Sequence, residues 1–259
     1  MIRVFKMKFP AFSGREKRRA YVYLPDGYFL SGKRYPVLYM FDGHNVFFDS
    51  HATYGKSWGM GEYLKKTRAE LIIAAFECNH GEHGERILEY SPWDFDIPEG
   101  WGGENGPKGH APGYGDDTMK WFTSEFKPYI DSRFRTLPER ESTYIMGSSM
   151  GGLMSIYALG RYNRVFSKAC ALSPSMGPWM ENIEKMLKTQ NIDPKTEIYL
   201  DYGMREKEAD ESAAMLARVG KMFADRGAAV TLRLVPDGTH CEASWEKQLP
   251  LCMNMLMYK

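Results

Sequence analysis

Apolar positions along the chain follow two rhythms. Short runs such as Val37-Leu38-Tyr39-Met40-Phe41 and Leu71-Ile72-Ile73-Ala74-Ala75-Phe76 are apolar throughout, as in a strand covered on both faces. Longer stretches between them carry apolar residues at helical spacing. Over 207–226, Ala213, Leu216, Ala217, Gly220 and Phe223 share one helix face, Arg218, Lys221 and Asp225 lie off it, and Gly227 ends it. The whole pattern predicts strands near 20–25, 37–42, 71–77, 142–147, 168–173, 197–202 and 229–235. It predicts helices near 58–69, 116–131, 150–161, 179–189, 207–226 and 242–257. Residues 1–8 alternate apolar with basic and read as a first strand with one buried face. Strands alternating with helices predict an α/β architecture, a largely parallel central sheet with helices on both faces.

Residues 79–115 break the pattern with many glycines and prolines. A long irregular segment in a compact domain is usually functional, and this one follows a strand's C-terminal end, where ligands bind in parallel sheets. It is expected to form one wall of a substrate pocket, with Tyr90 and Trp93 among the contacts. Trp58 and Trp179 also follow strand ends and are candidate pocket aromatics.

The chemistry centres on Gly147-Ser148-Ser149-Met150-Gly151. An apolar strand precedes it and an apolar helix follows. G-x-S-x-G in that context resembles the nucleophile elbow of α/β-hydrolases, where a strained turn exposes the serine hydroxyl. Glycines two residues either side of Ser149 remove side chains that would collide, and the helix N-terminus points at developing negative charge. Ser149, not Ser148, has both glycines at this spacing.

A serine hydroxyl needs a histidine to take its proton and a carboxylate to orient that histidine. The elbow's partners follow in the order acid, then histidine. His240 is the one histidine after Ser149, on a loop just past the strand 229–235. The acid is expected from the end of the strand at 197–202. Glu206, on the loop after Gly203, is favoured over Asp201, which still belongs to the strand. One oxyanion donor is expected to be the backbone N–H of Met150. The other is expected from Asp42-Gly43-His44-Asn45, through the N–H of His44 or Asn45.

Several segments together resemble the esterase family of α/β-hydrolases that includes feruloyl and acetylxylan esterases, enterochelin esterases, S-formylglutathione hydrolases and mycolyltransferases. They are Tyr39-Met40-Phe41-Asp42-Gly43-His44-Asn45, Arg86-Ile87-Leu88-Glu89-Tyr90-Ser91-Pro92-Trp93, Phe126-Lys127-Pro128-Tyr129-Ile130-Asp131, the elbow, Gly203-Met204-Arg205-Glu206 and Gly238-Thr239-His240-Cys241-Glu242-Ala243-Ser244-Trp245. The resemblance spans nearly the whole chain and implies an α/β-hydrolase fold. It also supports Glu206 as the acid, because the family has G-x-x-D/E there. Asp42 stands before Gly43 where several relatives carry histidine, so the second oxyanion donor stays open. The implied activity is a serine carboxylic-ester hydrolase, with aryl or acetyl esters of sugars as the substrate class. A siderophore esterase, an acyltransferase and a non-catalytic binding protein are the alternatives.

Composition narrows this further. With 259 residues, 43% hydrophobic and 26% charged, one domain over 1–259 is expected. A net charge of +1 without basic runs argues against a nucleic-acid partner. Mean hydropathy is −0.47 and no apolar run would span a bilayer. Residues 1–8 lack the continuous apolar stretch of a signal peptide. The 4 cysteines, Cys78, Cys170, Cys241 and Cys252, show no paired spacing. A cytoplasmic protein with free thiols is therefore expected. His80 and His83, with Glu82 and Glu85 nearby, supply acceptable metal ligands. No second ligand cluster accompanies them, so neither metal nor cofactor is expected.

Overall fold

The computed structural model describes residues 1–10, 17–79, 84–99, 101, 106 and 108–257. Ten strands occur among them: β1 Ile2–Lys8, β2 Lys17–Tyr23, β3 Val37–Met40, β4 Ile72–Phe76, β5 Phe95–Asp96, β6 His110–Ala111, β7 Thr143–Ser148, β8 Lys168–Leu172, β9 Glu197–Gly203 and β10 Ala229–Val235. Eight form one sheet in the order β1-β2-β4-β3-β7-β8-β9-β10, and β5 and β6 pair separately. β1 and β2 run antiparallel at one edge, and the pairs from β4 through to β10 are all parallel.

The helices are α1 Met60–Thr67, α2 Glu85–Glu89, α3 Gly115–Trp121, α4 Lys127–Arg133, α5 Met150–Arg161, α6 Met180–Thr189, α7 Ala209–Ala224, α8 Glu242–Glu246 and α9 Leu249–Met257. The predicted helix at 116–131 is realised as α3 and α4 joined by a π-helical turn, Phe122–Phe126. The predicted helix at 242–257 divides into α8 and α9. Pro250 explains the second start, since proline fits only the first turn of a helix, where its missing N–H is not needed.

Successive sheet residues feed two cores, because side chains alternate across a strand. Val37, Tyr39, Ile72, Ala74, Ile145, Ala169 and Ile198 pack with α3 to α7 on one face. Leu38, Met40, Ile73, Ala75, Met146, Cys170 and Tyr199 pack with α1, Trp245 and α9 on the other. This is the α/β-hydrolase arrangement, with helices on both faces of a mostly parallel sheet. No helix among the described residues is long and apolar enough to cross a membrane.

Parallel strands bring their C-terminal ends to one edge of the sheet. The chain leaves β3 into Asp42 and His44, β7 into Ser149, β8 into Ser173, β9 into Glu206 and β10 into His240. Residues far apart in sequence are thereby placed together, where open α/β sheets bind ligands.

Candidate active site

Ser149 has φ 57° and ψ −123°, a backbone state that costs a non-glycine residue on the order of 1–3 kcal/mol. The surroundings enforce it. Its N–H donates to Leu172 O at 3.0 Å, and its carbonyl accepts from Leu153 N at 3.0 Å and Ser175 N at 3.1 Å. A Cβ on Gly147 would stand 2.5 Å from Gly151 O, so the tight turn requires glycine there. Met150 opens α5, and its N–H belongs to the first turn, which has no partner within the helix.

His240 Nδ1 lies 2.6 Å from Glu206 Oε2. The histidine side chain is 45% exposed and the carboxylate 2%. Glu206 Oε1 accepts from Ser173 Oγ at 2.6 Å and from Gly203 N at 3.1 Å. Trp245 Nε1 in turn donates to Ser173 Oγ at 3.0 Å, and the indole and the His240 imidazole meet in a T-shape with 5.1 Å between centroids.

Asp201 points elsewhere. It is buried and accepts from Tyr199 OH at 3.0 Å and Ser173 N at 3.3 Å. Burial pushes its carboxyl up to about 7, aided by the Glu206 charge and outweighing those hydrogen bonds. Among the described residues Asp201 has no hydrogen bond to His240, whereas Glu206 Oε2 lies 2.6 Å from its Nδ1.

Ser149 Oγ sits 3.3 Å from Ser175 Oγ. No hydrogen bond joins it to His240 among the described residues, but both residues border the same two hollows. Catalytic hydrogen bonds are commonly looser before substrate binds. The larger hollow, about 510 Å³, is walled by Ile87, Pro98, Trp101, Met176, Tyr202 and Met215, with Arg86, Glu99, Lys207 and Glu208 also bordering it. The smaller, about 350 Å³, is walled by His44, Asn45, Thr53, Tyr54, Glu242 and Trp245.

His44 lies in a 3₁₀ turn, Gly43–Asn45, entered through Asp42 at φ 54°. The turn presses so closely on β4 that a Cβ on Gly43 would come within 2.9 Å of Phe76 N. Asp42 is buried and forked by Arg86, with Nε–Oδ1 at 2.7 Å and Nη2–Oδ2 at 2.6 Å. Burial alone would push the Asp42 carboxyl up. The charge and hydrogen bonds of Arg86, with smaller help from His44 and Cys78, hold it below the usual range. Asp42, His44 and Cys78 bring three potential metal-ligating atoms within 4.8 Å of one another. Asp42 already has its countercharge in the Arg86 guanidinium. His80 and His83 lie outside the described residues.

The family described as "Putative esterase" matches residues 13–253. The chain belongs to this esterase family. That membership, with the elbow serine, makes it a serine esterase. It is similar to the "Uncharacterized protein YbbA" of Bacillus subtilis (strain 168), at 24% identity over 196 residues, 75% of this chain and 71% of the relative. Among solved structures, an IroE-like serine hydrolase from Shewanella oneidensis superposes with TM-score 0.78 at 19% identity, covering 99% of the esterase and 80% of the other chain. A ferulic acid esterase superposes with TM-score 0.69 at 20% identity, over 99% and 97% of the two chains. At these identities the superpositions speak for the fold.

Four aromatics expected at the pocket lie elsewhere in the esterase. Trp58 is buried and stacks on Trp245 at 5.9 Å. Tyr90 is buried against Phe41, and its hydroxyl accepts from Asp42 N at 3.2 Å. Trp179 is fully buried against Phe95 and Trp101 and donates to Trp93 O at 3.3 Å. Trp93 packs on Tyr157 and borders a separate hollow. None of the four borders the two hollows at Ser149. The segment 79–115 still reaches the larger hollow, through Arg86, Ile87, Pro98, Glu99 and Trp101. Ser173 and Ser175 also stand at this site, beside Glu206 and Ser149. Their signal was available, since both are polar residues just past an apolar strand at the same sheet edge.

Proposed function

We propose that this esterase hydrolyses carboxylic esters by covalent catalysis through Ser149, His240 and Glu206. The observation that carries the reading is the 2.6 Å contact of His240 Nδ1 with Glu206 Oε2, on a histidine that shares both hollows with Ser149. With Nδ1–H given to the carboxylate, Nε2 is the basic nitrogen. It takes the Ser149 proton as Oγ attacks the ester carbonyl. The oxyanion is held by the N–H of Met150 and that of His44. Asn45 N–H already donates to Asp42 O at 2.7 Å, which favours His44 as the second donor. His240 then gives its proton to the departing alcohol. Water, deprotonated by His240, attacks the acyl carbon, and Ser149 Oγ leaves and regains its proton. Glu206 offsets the imidazolium charge throughout.

The substrate class we favour is aryl or acetyl esters of sugars. The Ile87, Trp101, Met176 and Met215 wall suits an aromatic acyl group, and the polar side chains of the smaller hollow suit a hydroxylated partner. An anionic iron-catecholate ester would need a cationic pocket, but Glu99 and Glu208 accompany Arg86 and Lys207 in the larger hollow. The chain is read as one α/β-hydrolase unit with 79–115 as a pocket wall. Its four free cysteines suit the cytoplasm.

Intact mass after a fluorophosphonate probe tests the reading. A single adduct on the native protein, absent from Ser149→Ala and His240→Ala, is expected. A folded native protein that takes no adduct refutes it. Cleavage of simple aryl acetates without cleavage of feruloyl or acetyl sugar esters would sink the substrate class alone.

A further inference from the structure

We infer that Ser173 is a positioning residue, which locks the Glu206 carboxylate so that Oε2 alone faces His240. This rests on the triad reading above.

Ser173 is buried and holds φ 42°, the left-handed region that side chains other than glycine rarely adopt. Such strain persists only where the surroundings over-determine it, and it clusters at functional sites. The direction of its hydrogen bonds is dictated. An indole N–H can only donate, so at 3.0 Å Trp245 Nε1 donates to Ser173 Oγ. The Ser173 proton is then directed to Glu206 Oε1, 2.6 Å away. Gly203 N–H, also only a donor, reaches the same oxygen at 3.1 Å. Oε1 therefore accepts two donors, and Oε2 is left to His240 Nδ1.

The main chain beside Ser173 holds the nucleophile as well. Leu172 O accepts the Ser149 N–H, and Ser175 N–H donates to Ser149 O. Ser173 N–H donates to Asp201 O at 3.0 Å. Leu172, Ser173 and Ser175, at the end of β8 and just past it, thus bind the backbone of Ser149 on one side and the carboxylate of Glu206 on the other. Removing the Ser173 hydroxyl leaves Oε1 with Gly203 alone. The carboxylate is then free to turn, and the half-exposed imidazole with it.

Ser173→Ala and Ser173→Gly test this together. Both remove the hydroxyl, and only glycine relieves the backbone. The expected result is a kcat lowered ~10-fold or more in both, the scale of a lost hydrogen bond to a charged group. KM for an aryl acetate should stay within about twofold. The downfield Nδ1 proton resonance of the imidazole should broaden or vanish in both. Recovery of kcat in Ser173→Gly, in step with a higher unfolding midpoint, would overturn the inference, because it would mean that Ser173 matters only to the backbone. An unchanged kcat and resonance in Ser173→Ala would overturn it too. The fluorophosphonate adduct on native protein separates the cases: its absence overturns the triad and this inference together, and its presence confines a failure to Ser173.

Discussion

Glu206→Gln exchanges one carboxylate oxygen for an amide nitrogen of nearly the same size. The surroundings decide which oxygen is lost. Gly203 N–H at 3.1 Å can only donate, and the Ser173 hydroxyl at 2.6 Å, which takes the Trp245 N–H on one lone pair, has its proton free to donate as well. The amide oxygen must therefore occupy the Oε1 position. The NH₂ group then faces His240 Nδ1, where the carboxylate oxygen lay at 2.6 Å. Nδ1 has to accept, the ring proton moves to Nε2, and Nε2 can no longer take the Ser149 proton. An acid-to-amide exchange that traps the wrong tautomer elsewhere costs ~10⁴-fold in kcat, about 5 kcal/mol of transition-state stabilisation. A loss on that scale is expected here in kcat/KM for an aryl acetate and in the rate of fluorophosphonate labelling. The unfolding midpoint should stay close to native. A folded variant losing less than ~10-fold would refute the assignment of Glu206 as the orienting acid.

Three further outcomes follow from the packing. Gly147→Ala forces a Cβ to within 2.5 Å of Gly151 O, backbone that cannot step aside, and should lower the unfolding free energy in urea by about 2–3 kcal/mol; an unchanged midpoint would contradict it. Arg86→Leu leaves the buried Asp42 carboxylate without its fork and should cost about 3 kcal/mol near neutral pH. Because Arg86 lowers the Asp42 carboxyl against the pull of burial, that contribution is present above the unfolded value and lost as pH falls through the folded one. Native protein should lose it in acid, and Arg86→Leu/Asp42→Asn should not. Asp201 has the opposite sign. Its folded carboxyl stands at about 7, so its contribution is full below the unfolded value of about 4 and falls away as pH rises towards about 7. Asp201→Asn should match native stability near pH 4 and exceed it at pH 8, measured by denaturant unfolding; parallel curves would refute the shift.

Much of this molecule was legible in the chain because its signals are local. The strands at 37–42 and 71–77 are apolar on both faces, and the elbow carries its glycines at fixed spacing around Ser149. Glu206 and His240 each follow a strand whose end the apolar pattern located. The aromatics were not legible in this way. Trp58 and Trp179 follow strand ends, as a pocket residue would, but each is covered by segments distant in sequence: Trp58 by Trp245, and Trp179 by Phe95 and Trp101. Charge pairing was equally hidden. Arg18 and Glu89, 71 positions apart in the chain, are buried together at 2.6 Å, and no spacing rule connects them. Asp201 and Glu206, near the end of β9, point to different partners, Tyr199 and His240, and periodicity does not fix such side-chain directions.

In the proposed mechanism Ser149 carries the acyl group between two chemical steps. Rapid quenching of the enzyme mixed with an aryl acetate, followed by peptide mass mapping, tests this most directly. A burst of released phenol is expected, matched by an acetyl group on the peptide containing Ser149, with both lost in Ser149→Ala. Turnover of the ester by folded enzyme without that burst, or with the acetyl group on another residue, would contradict it.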